Sequence, residues 1–209
     1  MNAVLYATGT WTWNNRTHGE LKWTTIETEH FYIHYHQNLD QIALQGASIA
    51  EQIRPTLMKQ MGLESLPTLD IIFTAEDEVL NGFAVPANYT IIWVDQNDAA
   101  LWTGDKKWLR TVLAHELQHL VYFNTVKGPW WLPEPMNSLA HGTPAWIVEG
   151  IAEYFTEEWR PFRYELSHRY HVLRNTVHKI QDPHNDGFSK SLYLADRFGD
   201  STIVKILNY

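Results

Sequence analysis

Two histidines stand four residues apart in "TVLAHELQHLVYF", residues 111–123. They are His115 and His119, and Glu116 lies between them in an H-E-x-x-H pentad. On an α-helix this spacing is about one turn, so both imidazoles project from the same side. Two neutral imidazoles so placed can ligate a divalent metal such as zinc. Glu116 is rotated by ~100° from His115. It cannot reach the same ion, yet it borders the same cleft, where a carboxylate can serve as general base toward a water at the metal. Composition alone yields roughly 0.04 such pentads in a chain this rich in His and Glu, so the spacing is informative.

A catalytic zinc takes three protein ligands. The chain has no cysteine, which excludes disulfides and thiolate ligands. The third ligand must then be His, Asp or Glu. "TPAWIVEGIAEYF", residues 143–155, offers Glu149 among Trp146, Ile147, Val148, Ile151 and Ala152. A carboxylate in such apolar company needs a strong partner, and zinc would be one. Glu153 follows four residues later on the same helical face. A metal-ligating His usually passes its other N–H to a carboxylate or carbonyl, and Glu153 is the natural candidate. The plainer reading, an acidic pair on a wet helix face, meets like-charge repulsion at that spacing.

These groups need elements to position them. From Lys106 to about Thr125 the pattern is helical, with Trp108, Val112, His115, His119 and Tyr122 on one face. Leu109, Leu113 and Leu120 share a second face, as expected of a helix buried in the middle of a molecule. Thr143 and Pro144 read as N-cap and first residue of a helix running to about Trp159. Between these helices "KGPWWLPEPMNSLAHG" (Lys127 to Gly142) is a Pro-rich loop whose Trp130 and Trp131 could line a surface.

Upstream, "EHFYIHYH" reads as a strand on which His30, His34 and His36 form a solvated face. A helix over Asp40–Met61 carries Ile42, Ile49, Ile53, Leu57 and Met61 on one stripe, with Pro55 as a kink and Gly62 as the stop. "TLDIIFTA" is a short buried strand. "NGFAVPANYTIIWVD" gives an irregular edge segment, a turn at Pro86–Asn88 and a strand at Thr90–Val94. Two further helices are expected over Tyr164–Lys179 and Lys190–Asn208. Strands first and helices afterwards make the class α+β.

With 209 residues, 44% of them hydrophobic, the chain can bury one ordinary core, split at most into two lobes around a cleft. Its net charge is −8 and no run of Lys or Arg exceeds two residues, so no nucleic-acid partner is expected. No window approaches the ~18 apolar residues of a transmembrane segment. The start "MNAVLYATGTWTWNNRTHGE" lacks the basic and apolar regions of a signal peptide.

"AHELQHLVYF", followed by Glu149 in "PAWIVEGIAEYF" with 29 residues between His119 and Glu149, resembles the gluzincin metallopeptidases of the thermolysin-like, peptidase MA superfamily. More narrowly it looks like the bacterial peptidase-MA-like domains often found beside TolB-type β-propellers. "TEHFYIHYH", "NGFAVP", "TIIWV" and "LADRFGD" extend the resemblance over most of the chain. The resemblance implies zinc on His115, His119 and Glu149, Glu116 as catalytic base and Glu153 behind the ligands. It implies a zincin-like fold, with residues 1–122 forming a sheet-bearing N-terminal lobe and residues 123–209 a helical C-terminal lobe. The implied partner is a peptide or protein substrate, and the implied location secreted or periplasmic. Asn81, Gly82, Phe83 and Ala84 resemble the rim strand that holds extended substrate. Gluzincins often add a Tyr or His that stabilises the oxyanion. Where relatives carry a tyrosine-rich segment this chain reads "PHNDGFSKS", without tyrosine, and Tyr193, Tyr164, Tyr170, His168, His171 and His184 all stay open for that role. Two other readings stand beside the peptidase: a zinc-containing module that binds peptide without cutting it, and an α+β domain without metal.

Overall fold

The structure, a computed structural model, describes residues 20–75, 81–94, 108–126, 142–156 and 165–207. The described residues form an α+β arrangement. Its strands are β1 (Trp23–Glu27), β2 (Phe31–His36), β3 (Leu69–Thr74), β4 (Asn81–Val85) and β5 (Tyr89–Trp93). They make one mixed sheet in the order β1-β2-β3-β5-β4. The pairs β1–β2 and β4–β5 are antiparallel, and β2–β3 and β3–β5 are parallel. Among the described residues, strand β4 is therefore an outer strand.

Alternation dictates the buried face. Phe31, Ile33 and Tyr35 of β2 pair with Leu69, Ile71 and Phe73 of β3, and all six are buried. The same row continues through Thr90 and Ile92 of β5 to Ala84 and Gly82 of β4. Helix α1 (Asp40–Met61) covers this face through Ala43, Gly46, Ala47, Ala50, Ile53, Leu57 and Met61, at helical spacing. Ile42 is only partly buried, so small residues rather than the expected isoleucine open the buried stripe. The helix continues through Pro55 and ends at Gly62, whose φ of 68° allows its N–H to bond the Lys59 carbonyl.

The three upstream histidines depart from a solvated face. His34 is half-exposed and bonds Asp70 at 2.8 Å and Thr25 at 2.9 Å. His30 precedes the strand and bonds Glu51 through both its backbone N–H and its ring. His36 is buried. Its Nε2 accepts the Ala75 N–H at 3.0 Å, and Nδ1 lies 3.1 Å from the Gln37 carbonyl. The backbone donor just past the end of β3 needs an acceptor, and this ring provides it.

Helix α2 (Trp108–Thr125) is buried over most of its surface, as its apolar composition requires. It packs against α1 and against β4 and β5. Helix α3 (Ala145–Thr156) lies against α2, and the Pro144 carbonyl accepts its first bonds, from Ile147 and Val148. The Lys127–Gly142 loop, with Trp130 and Trp131, lies outside the described residues except for Gly142, and so does the stretch from 157 to Tyr164.

The C-terminal helices are divided differently from the expected pair. Helix α4 is Glu165–Leu173, and Asn175, at φ 53°, turns the chain into a 3-10 turn at Val177–Lys179. Helix α5 runs over Pro183–Phe198, starting seven residues before the expected Lys190, and Gly199 (φ 88°) separates it from α6, Ser201–Leu207. Asp182 caps α5 by accepting the N–H groups of His184 and Asn185, and Pro183 occupies the first turn. No helix among the described residues is long and apolar enough to cross a membrane.

Candidate metal centre

The buried middle of α2 carries His115, Glu116 and His119, each 7% exposed or less. His115 Nε2 and His119 Nε2 are 3.0 Å apart, with their rings edge to face. Glu149 of α3 places Oε2 3.4 Å from each of them. Four donors arranged tetrahedrally around zinc at its usual bond lengths are roughly 3.3 Å apart. The three atoms fit that spacing. Glu149 Oε2 is buried and makes no hydrogen bond of acceptable geometry, although imidazole nitrogens surround it. A divalent cation is the chemical group that such a cluster of lone pairs suits.

Glu153, one turn beyond Glu149, is buried and sets Oε1 3.4 Å from His115 Nδ1. A proton on Nδ1 directed there leaves the Nε2 lone pair facing Glu149.

His184 joins the same cluster. Its Nε2 is 3.1 Å from Glu149 Oε2, its ring stacks on His115 at 5.8 Å, and its Nδ1 lies 3.3 Å from Asp182. His115, Glu149 and His184 form a group able to hold a metal ion, their candidate ligand atoms all within 4.8 Å of one another. His184 gets there because α5 approaches α3 at backbone contact. A Cβ on Gly150 would lie 2.6 Å from the Gly187 carbonyl, and a Cβ on Gly187 would lie 2.6 Å from Gly150 Cα. Two facing glycines remove both side chains and let the helices meet, one residue past Glu149 and about one turn past His184. A helix expected only from Lys190 hides this. The signal was present in "QDPHND", where Asp182 is an N-cap and Pro183 stands at the first helical position.

Among the other positions left open, the two histidines serve other partners. Tyr170 and Tyr193 are exposed, His168 bonds Ser189 and His171 bonds Thr176. Tyr164 lies outside the described residues.

The electrostatics follow from burial and proximity. Burial opposes ionisation of Glu149, yet His119, His115 and His184 hold its carboxyl far below the usual range. The Glu149 carboxylate, 3.1 Å from its Nε2, lifts His184 up to about 9 against the opposing effect of burial. Burial works against a charged His119, but Glu149 raises it as well. A carboxylate that draws protons onto its neighbours would equally draw a divalent cation. Glu116 behaves differently. Burial pushes its carboxyl up to about 7, with His119 pulling it down, Glu149 raising it, and the Ala84 N–H and His184 lowering it.

Strand β4 contains Asn81, Gly82, Phe83 and Ala84 and lies at the sheet edge beside α2. A Cβ on Gly82 would come within 2.7 Å of Glu116 Oε1 and 2.8 Å of its Cδ. The carboxylate therefore lies directly on the strand. Set against known protein families and against curated proteins, the chain matches none.

Proposed function

We propose that this chain is a zinc-dependent peptidase with a zincin-like, gluzincin-type fold, in which His115, His119 and Glu149 hold the metal. The observation that carries this reading is the triangle of His115 Nε2, His119 Nε2 and Glu149 Oε2, with sides of 3.0, 3.4 and 3.4 Å. Zinc bound there would lower the pKa of a water and polarise a carbonyl oxygen. Glu116, with a carboxyl near neutrality, takes a proton from the attacking water on its carboxylate and passes it to the leaving amine. Glu153 orients the His115 ring through Nδ1. His184 sets Nε2 3.1 Å from Glu149 Oε2, beside the triangle, where a protonated imidazole can donate to the oxygen that gains charge. The main chain of Asn81 to Ala84 offers an extended peptide an edge to pair with.

One observation favours a second reading. His184 belongs to the metal-capable group, and four protein donors would close the site into the structural type, fit for docking a peptide without cutting it. Incubating the zinc-loaded chain with a panel of unstructured proteins separates the two. Cleavage that stops with a chelator is expected. Bound zinc with no cleavage of any panel member supports the closed module.

A further inference from the structure

Glu116 is held by the sheet as well as by its own helix. Its carboxylate lies over Gly82 in the space a Cβ would fill. It also accepts the backbone N–H of Ala84, two residues on. Gly82 and Ala84 share one face of β4, in register with Ile92 and Thr90, and that face looks toward the buried side of the sheet. Among the described residues, strand β4 has a strand neighbour only on its β5 side. Among the described residues, two elements remote in sequence thus define where one buried acid can be. An ordinary residue at 82 would have to displace either the Glu116 carboxylate or the strand, because 2.7–2.8 Å is closer than real Cβ contacts come.

We infer that Gly82 and Ala84 are positioning residues for Glu116: Gly82 leaves the space for the carboxylate, Ala84 N–H holds it there, and β4 and the acid behave as one unit. The functional half of this inference rests on the peptidase reading, and the structural half does not. An extended peptide pairing with β4 would meet the same strand that places the base, so substrate docking and base placement are coupled through Gly82.

The test is a double-mutant cycle on the metal-free chain, using Gly82→Ala, Glu116→Ala and the pair, read by the thermal unfolding midpoint. Gly82→Ala is expected to lower the midpoint when Glu116 is present, and to lower it by less than half as much when residue 116 is Ala. If Gly82→Ala alone does not fold, the double variant is expected to fold. Equal shifts in both backgrounds, or failure of the double variant to fold, would overturn the inference. In the zinc-loaded chain, Gly82→Ala is expected to keep wild-type zinc affinity, lose about 100-fold in kcat and change KM by less than about threefold. Lost zinc binding, or a KM effect alone, counts against positioning. If the wild-type chain cuts nothing, the peptidase reading fails while the stability cycle still decides whether Gly82 houses Glu116.

Discussion

Three imidazole nitrogens lie within 3.4 Å of Glu149 Oε2, and they are not equivalent. His115 and His119 are buried, and their Nε2 atoms face each other on one helix. His184 has a side chain 38% exposed and is tethered by Asp182. A residue that supplies a ligand and one that borders the metal should therefore separate on substitution. His119→Ala is expected to weaken zinc binding by more than about 100-fold, and Glu153→Gln by about 10–100-fold, since its proposed role is only to orient His115 from 3.4 Å. His184→Ala should stay within about tenfold of wild type. Competition against a chromophoric chelator measures all three. Equal losses for His119→Ala and His184→Ala would favour the closed, four-donor site.

At the scale of elements, the site depends on how closely α3 and α5 approach. Gly187→Ala would push a Cβ into the backbone around Gly150, and such overpacking costs about 1–3 kcal/mol. The variant should show that loss in urea unfolding and also weakened zinc binding, because α3 carries Glu149. Wild-type stability would mean the helices tolerate separation. A second element contact is Glu51 of α1, which receives both the N–H and the ring of His30. Burial would raise this carboxyl, but Thr28 and His30 hold it below its ordinary 4.5. A depressed carboxyl contributes stability that is present above its unfolded value and lost as pH falls through its folded value. Metal-free wild type should exceed Glu51→Gln by up to about 1 kcal/mol at neutral pH. That difference should fade as pH drops below about 4.5. A difference independent of pH would remove the ionised carboxyl from the explanation.

Over the whole molecule, what could be read from the residues followed how local its cause was. The pentad, the apolar setting of Glu149, the alternation in β2 and β3 and the helix over Asp40–Met61 are set by spacing within a few residues. The pentad lies on helix α2, Phe31, Ile33, Leu69 and Ile71 are buried by alternation and α1 has the expected bounds, whereas Glu149 is half-buried among imidazoles. The burial of His36 depends on a backbone donor at Ala75, far along the chain, and strand alternation alone cannot supply that. His184 reaches the centre only because Gly150 and Gly187 let two helices touch. The Gly82–Glu116 contact likewise joins a strand to a helix across a long separation, and only the fold brings the two together.

The proposed zincin-type peptidase activity is tested most directly by pairing the wild-type chain with Glu116→Gln, both zinc-loaded, on one unstructured protein substrate while bound zinc is quantified. Glu116 does not border the Nε2–Oε2 triangle as a donor, so both proteins should bind zinc alike. The wild type should cleave, and the variant should be slower by about 100–10,000-fold. Cleavage by zinc-loaded Glu116→Gln at the wild-type rate, or a wild-type chain that binds no zinc, would contradict it.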